Sequence, residues 1–193
     1  MNKNIFKMVL SAMLIALGIL VPMYSPVKII VEPMSFTLAS HVAIMIALFI
    51  SPSVAVGVAL GTTLGFLMAG IFPITVILRA LSHVVWAFAG AYYLKKHPET
   101  MQSIVKTAVF MLAIGCIHAV CEVIVVLPFY AGTLATNQFM YMVFGLVGIG
   151  TLVHSSVDFI ISTIVFKVIC KSREVSKVAS VKEIRLQLRT NQA

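Results

Sequence analysis

Six polar residues fall into three pairs, each four positions apart: Arg79 with His83, His118 with Glu122, and His154 with Asp158. In a helix that spacing puts both members of a pair on one face, one turn apart. The residue types define what such faces can bind. A guanidinium presents a planar fork that holds a carboxylate through two hydrogen bonds, an imidazole can bond that carboxylate or a ring nitrogen, and an indole offers a flat stacking surface. Trp86 extends the first pair to the series i, i+4, i+7, which predicts it beneath His83 on the same face. Three convergent polar groups and an aromatic suit a small ring compound carrying a carboxylate. The same residues also permit a structural arrangement in which Glu122 neutralises Arg79, and the two coexist if Glu122 holds Arg79 in place. His41, His118 and His154 are equally open to roles as hydrogen-bonded packing residues, and His154 with Asp158 also suits a proton relay.

The elements that carry these residues are apolar. The 193-residue chain is 61% hydrophobic and only 10% charged, with a mean hydropathy of +1.08, far above a soluble domain. An all-α integral membrane protein follows, with room for a bundle of about six spans and none for a separate catalytic domain. The spans are predicted at about residues 5–21, 37–50, 54–69, 74–94, 104–127 and 143–170, forming a single membrane domain over 1–170, with a basic cytoplasmic tail at 171–193. The apolar start is read as a retained first helix, stopped by Pro22 and Pro26, because no small-residue cleavage site precedes the next span. The loop after it, with Lys28 and Glu32, reads as ordered. Within the tail, the stretch VKEIRLQLR reads as a short amphipathic helix on the membrane surface.

Lys and Arg set the orientation. With the N-terminus inside, the inner segments hold Lys3, Lys7, Lys95, Lys96, Lys106, Lys167, Lys171, Arg173, Lys177, Lys182, Arg185 and Arg189, which leaves Lys28 outside and Arg79 within a span. Both termini are therefore expected in the cytoplasm of a multi-pass cell-membrane protein. The net charge of +8 sits in the flanks, so it reports orientation and excludes a nucleic-acid partner.

Depth then selects neighbours. Arg79 lies five residues into its span, roughly 7 Å below the outer edge at 1.5 Å per residue, and Glu122 is expected at similar depth. Asp158 is expected nearer the middle. Buried ionisable groups in a bilayer are turned inward and paired, which predicts a polar interior shared by the last three helices. Cys116, Cys121 and Cys170 lack any CxxC spacing and read as packing residues. The histidines lie on separate spans with no HExxH motif, so no metal or other cofactor is expected. Gly57, Gly61 and Gly65 form a small-residue stripe on the third helix, and Ala12 and Ala16 a smooth face on the first.

The chain as a whole resembles the substrate-binding S components of energy-coupling factor transporters. The stretches PMYSPVKIIVEPMSFTLASHVAIMIALFISP and LGTTLGF...VILRALSHVVWAFAGAYYLKKHP are most similar to the niacin-binding members. The resemblance implies a subunit that captures a vitamin from outside and docks onto a transmembrane coupling protein carrying two cytoplasmic ATPases. It implies that Ala12 and Ala16 line the docking face, and that the outer loops, 22–36 and 129–142, gate the site. Niacin is an aromatic anion, so Arg79 is expected at its carboxylate, Trp86 at its ring and His83 or Asn137 at its ring nitrogen, with His41 and Glu122 completing the site. Pantothenate could use the same arginine but has no ring to stack. An autonomous proton-coupled carrier using His118, Glu122, His154 and Asp158 is a further alternative, disfavoured by the lack of an inverted repeat. No Walker A, GxSxG or nucleophile with a matched base is present, so no enzymatic activity is expected.

Overall fold

A computed structural model describes residues 2–31 and 34–187 of the chain; Glu32 and Arg189 lie outside them. The elements are α1 (Lys3–Tyr24), β1 (Lys28–Val31), β2 (Met34–Thr37), α2 (Val42–Ile50), α3 (Pro52–Ala69), α4 (Ile74–Lys96), a 3-10 turn (Pro98–Gln102) and α5 (Ile104–Tyr130). A last long helix, Thr136–Ile169, follows. It comprises α6 (Thr136–Phe139), a π-helical stretch (Met140–Ile149) and α7 (Gly150–Ile169), and a short helix α8 (Arg173–Val178) comes after it. Among the described residues five helices are long and apolar enough to cross a membrane. The chain is a multi-pass membrane bundle.

The second predicted span is the exception. α2 has only nine residues, roughly 13 Å of helix against a hydrocarbon core of about 30 Å. Its residues Ala43–Ile50 are all buried, as expected for a helix that is hydrophobic all round. It starts five residues later than expected because Met34–Thr37 pairs with Lys28–Val31 in an antiparallel hairpin, with Ile29 opposite Phe36. A carboxylate then fixes the helix start. Asp158 accepts hydrogen bonds from the Ala39 N–H and the His41 N–H, each at 2.9 Å, serving as an N-cap supplied by another helix. Ala39 takes a left-handed φ of 66° at this turn, a conformation an alanine adopts only when its surroundings dictate it.

The other boundaries shift for local reasons. α1 continues past Pro22 to Tyr24, and α5 runs through Pro128 to Tyr130; a proline in the last turn forfeits one hydrogen bond without ending the helix. The last helix begins at Thr136, so the expected gating loop at 129–142 reduces to a turn at 131–135. The hairpin packs directly on this helix. A Cβ on Gly150 would lie 2.9 Å from the Phe36 ring, and that ring stacks on His154 at 4.7 Å between centroids.

The tail differs most from expectation. α8 lies at Arg173–Val178, and the described part of the VKEIRLQLR stretch, residues 181–187, is not helical. Val181 and Ile184 join the main hydrophobic core. The cause is the abrupt end of α2, whose last carbonyls have no helical partner. The N–H groups of Ser180 and Val181 donate to the carbonyls of Ile50 and Phe49 at 2.9 and 3.0 Å. Glu174, outside the long helices, has its carboxyl pKa lowered by an ion pair with Lys177.

Helix α1 is held by small residues. Ile15 and Ile19 fill the hollows at Gly61 and Gly65, where a Cβ would collide with them, and Gly18 reciprocates by admitting Thr62. Gly57 has nothing within contact distance, so two of the three stripe glycines serve this contact. Cys170 is buried, whereas Cys116 is exposed on the bundle surface, because its position on α5 faces away from the core. All three cysteines are free.

Candidate functional site

The hairpin, the end of α1, the upper half of α3 and the start of α4 enclose a cavity of about 310 Å³, at the small end of the range for small-molecule sites, about 300–1,000 Å³. Its walls are largely apolar, with Phe66, Phe72, Ile44 and Val76 among them. Polar groups converge at one end: Arg79, His83, His41, Glu122, Ser35 and Ser40 line the cavity there. Lys28 and Tyr130 are also in the lining.

Glu122, 1% exposed, organises that end. Its Oε2 accepts from Arg79 Nη2 at 2.7 Å and from Thr151 Oγ1 at 2.6 Å. Its Oε1 meets two imidazoles, His118 Nε2 at 3.2 Å and His83 Nε2 at 3.4 Å. A buried carboxylate needs such compensation, since its desolvation is otherwise prohibitive. The Arg79 guanidinium in turn reaches Ser35 Oγ on the hairpin at 3.4 Å through Nη1. Arg79 and Glu122 meet as their expected similar depth requires, because α4 enters the bundle where α5 leaves it.

Asp158, fully buried, anchors a second network. Besides capping α2 it is 3.1 Å from His41 Nδ1 and 3.3 Å from His154 Nε2. His154 Nε2 also lies 3.1 Å from Ser40 Oγ. The His41 ring joins the two networks, making edge contacts with His83 at 4.9 Å, His118 at 4.7 Å and His154 at 5.0 Å between centroids. Four imidazoles from α4, α5, α7 and the turn before α2 thus share one interior, although no two are near in sequence.

Two expected ligand contacts lie elsewhere. Trp86 is fully buried one turn below His83, tilted against His118 at 5.0 Å, and does not line the cavity. The helical series placed it on the correct face of α4, but at its depth that face packs on α5. Asn137 is exposed near the start of α6, where its Oδ1 accepts from the Gln138 N–H at 2.9 Å. It too is absent from the cavity lining, because the helix that carries it begins earlier than the sequence suggested. Ala12 and Ala16 are both exposed on α1, among Met8, Val9, Met13, Leu17 and Leu20, all on the bundle surface.

Several site residues were not singled out from sequence. Thr151 and Ser155 precede Asp158 by seven and three positions and share its helix face, a signal that was present. Ser35, Ser40 and Thr62 had none, since their roles depend on the hairpin and on the approach of α3. Among the described residues Thr62 Oγ1 and His83 Nδ1 are buried without a hydrogen-bond partner. Both residues line the cavity, so a ligand entering it would meet unfulfilled polar atoms.

No family model matches the chain, and no solved structure matches it. A curated relative does: over 154 residues, 79% of this chain and 69% of its own length, the chain is 45% identical to the niacin transporter NiaX of Lactococcus lactis subsp. cremoris (strain MG1363). That relative is a transport protein and not an enzyme. With its span-length apolar helices and its enclosed polar-ended cavity, the chain belongs to the family of that transporter, the energy-coupling factor S components of the niacin type.

Proposed function

We propose that this protein is the membrane-embedded substrate-binding subunit for niacin uptake, with the cavity between the hairpin and α4 as the binding site. One observation carries the assignment of the site: a guanidinium, held in place by Glu122, sits at the polar end of an otherwise apolar cavity of about 310 Å³. Nicotinate presents the matching features, a carboxylate on a flat ring whose nitrogen can accept or donate a hydrogen bond. Arg79 takes the carboxylate, with Ser35 beside it. His83, through its unpartnered Nδ1, and Thr62 are the candidates for the ring nitrogen. His41 and Glu122 hold these groups in register, and Trp86 supports the floor from below.

The chain crosses the membrane six times in this reading, with α2 and the hairpin together forming the second crossing. Both termini are cytoplasmic, because by chain position the described Lys and Arg residues other than Lys28 and Arg79 lie at the end of the bundle opposite the hairpin. The cavity then faces outward, as capture of an external vitamin requires. The exposed Ala12 and Ala16 face of α1 docks on a transmembrane coupling protein, whose two ATPases supply the energy. Asp158 is a structural cap here and not a proton carrier, since the N–H groups that start α2 occupy its oxygens.

Calorimetric titration of the purified full-length protein with nicotinate tests the site. Binding that disappears in Arg79→Met supports it, and a folded wild-type protein that evolves no heat with nicotinate sinks it. For the docking face, Ala12→Trp is expected to retain nicotinate binding and lose uptake in cells. Loss of binding together with uptake would count against that role.

A further inference from the structure

The polar floor of the cavity has a composition that ligand capture alone does not explain. His41, His83, His118 and Glu122 each offer one donor atom, and these four atoms lie within 4.8 Å of one another. All four residues are buried. We propose that this set is a binding site for one divalent transition-metal ion of the zinc class.

Three further features favour a cation at this place. The buried site holds two carboxylates, Glu122 and Asp158, against one guanidinium, Arg79. Low-dielectric surroundings make such an imbalance costly, and a bound cation relieves it.

The outer contacts of two of the imidazoles, His41 and His118, are also those of metal ligands. His41 Nδ1 lies 3.1 Å from the Asp158 carboxylate, and His118 Nδ1 lies 3.2 Å from Ser155 Oγ. A metal-bound histidine characteristically uses its second ring nitrogen in this way, which fixes the tautomer and the ring plane. Finally, Glu122 Oε1 faces the Nε2 atoms of His83 and His118 at once.

Three imidazoles and one carboxylate select zinc, cobalt, nickel or copper over magnesium and calcium, which prefer all-oxygen sites. The alternative set of His41, His154 and Asp158 is less suited, because backbone N–H groups already occupy both oxygens of Asp158. The site borders the cavity through His41, His83 and Glu122, so the ion would keep one side open to a further donor. The ion would be held by the protein's own side chains, three of which, His41, His83 and Glu122, also border the proposed nicotinate cavity.

The test uses the full chain in detergent, stripped with a chelator and titrated with Co²⁺, whose visible d–d absorption reports nitrogen ligation. The expected result is one Co²⁺ per chain, displaced by Zn²⁺ but not by Mg²⁺, with apparent affinity falling by about 100-fold or more in His118→Gln and in His83→Gln. His97→Gln, at an exposed position, should leave it unchanged. A folded wild-type protein that takes up no Co²⁺ overturns the proposal. So does uptake that survives both His118→Gln and His83→Gln but is lost in His97→Gln or His154→Gln. Nicotinate titration of the same stripped sample reads the vitamin assignment separately.

Discussion

Replacing Arg79 separates its two roles, which the structure superimposes. Arg79→Met keeps a side chain of similar reach and removes the charge, leaving the 1% exposed Glu122 carboxylate without its cation. Breaking a buried ion pair from one side costs about 3–5 kcal/mol, a large part of the roughly 5–15 kcal/mol that holds a typical domain. The double variant Arg79→Met with Glu122→Gln removes both charges, and the neutral pair should recover most of that loss. Binding should behave differently. Charge-assisted hydrogen bonds contribute about 1.5–3 kcal/mol each, so two of them to a carboxylate amount to a loss of at least about 100-fold in Kd at 1.4 kcal/mol per tenfold. Thermal unfolding in detergent reads the first quantity and calorimetry with nicotinate the second. The double variant should be stable and non-binding. A double variant that binds nicotinate like the wild type would refute the clamp and leave Arg79 as a structural partner of Glu122 only.

Other consequences follow from contacts already described. Trp86→Phe should keep nicotinate affinity within about threefold, since an aromatic floor without a cavity contact tolerates a smaller ring; equilibrium titration measures it, and a loss of 100-fold would place the indole against the ligand. Asp158→Asn should lower stability by about 3 kcal/mol, because it removes the charge from a buried cap and sets an amide donor near backbone donors; denaturation midpoints check this. Gly61→Leu should displace α1 at a cost of about 1–3 kcal/mol through collision with Ile15, visible as a lowered unfolding temperature. Val181→Asp should detach the tail from the C-terminal end of α2, whose Phe49 and Ile50 carbonyls it caps, and faster proteolysis after residue 170 would report it.

The hydrophobic and cationic pattern made the membrane class and the long helices legible, because span length and Lys/Arg distribution are direct consequences of bilayer thickness and charge. Arg79 and Glu122 were legible as partners for the same reason: their depths follow from helix rise. The hairpin was not, since Lys28–Val31 and Met34–Thr37 make a strand pair whose value comes from packing Phe36 on Gly150 and His154, contacts more than 100 positions away. Without the hairpin the start of α2 could not be placed, and with it the joining role of His41 stayed hidden. Trp86 marks a different limit. Periodicity assigns a residue to a face, but the depth at which that face changes from cavity wall to packed core depends on the neighbouring helix. The tail misled for a related reason, as its amphipathic pattern met an open helix end before it met a lipid surface.

The most direct measurement is a paired titration of the purified protein with nicotinate and with nicotinamide, which share a ring and differ in the charge that Arg79 would hold. Nicotinate should bind tightly and the amide at least about 100-fold more weakly, following the loss of a charge-assisted carboxylate clamp. Equal affinity for the two, or no binding of nicotinate by a folded protein, would contradict that clamp.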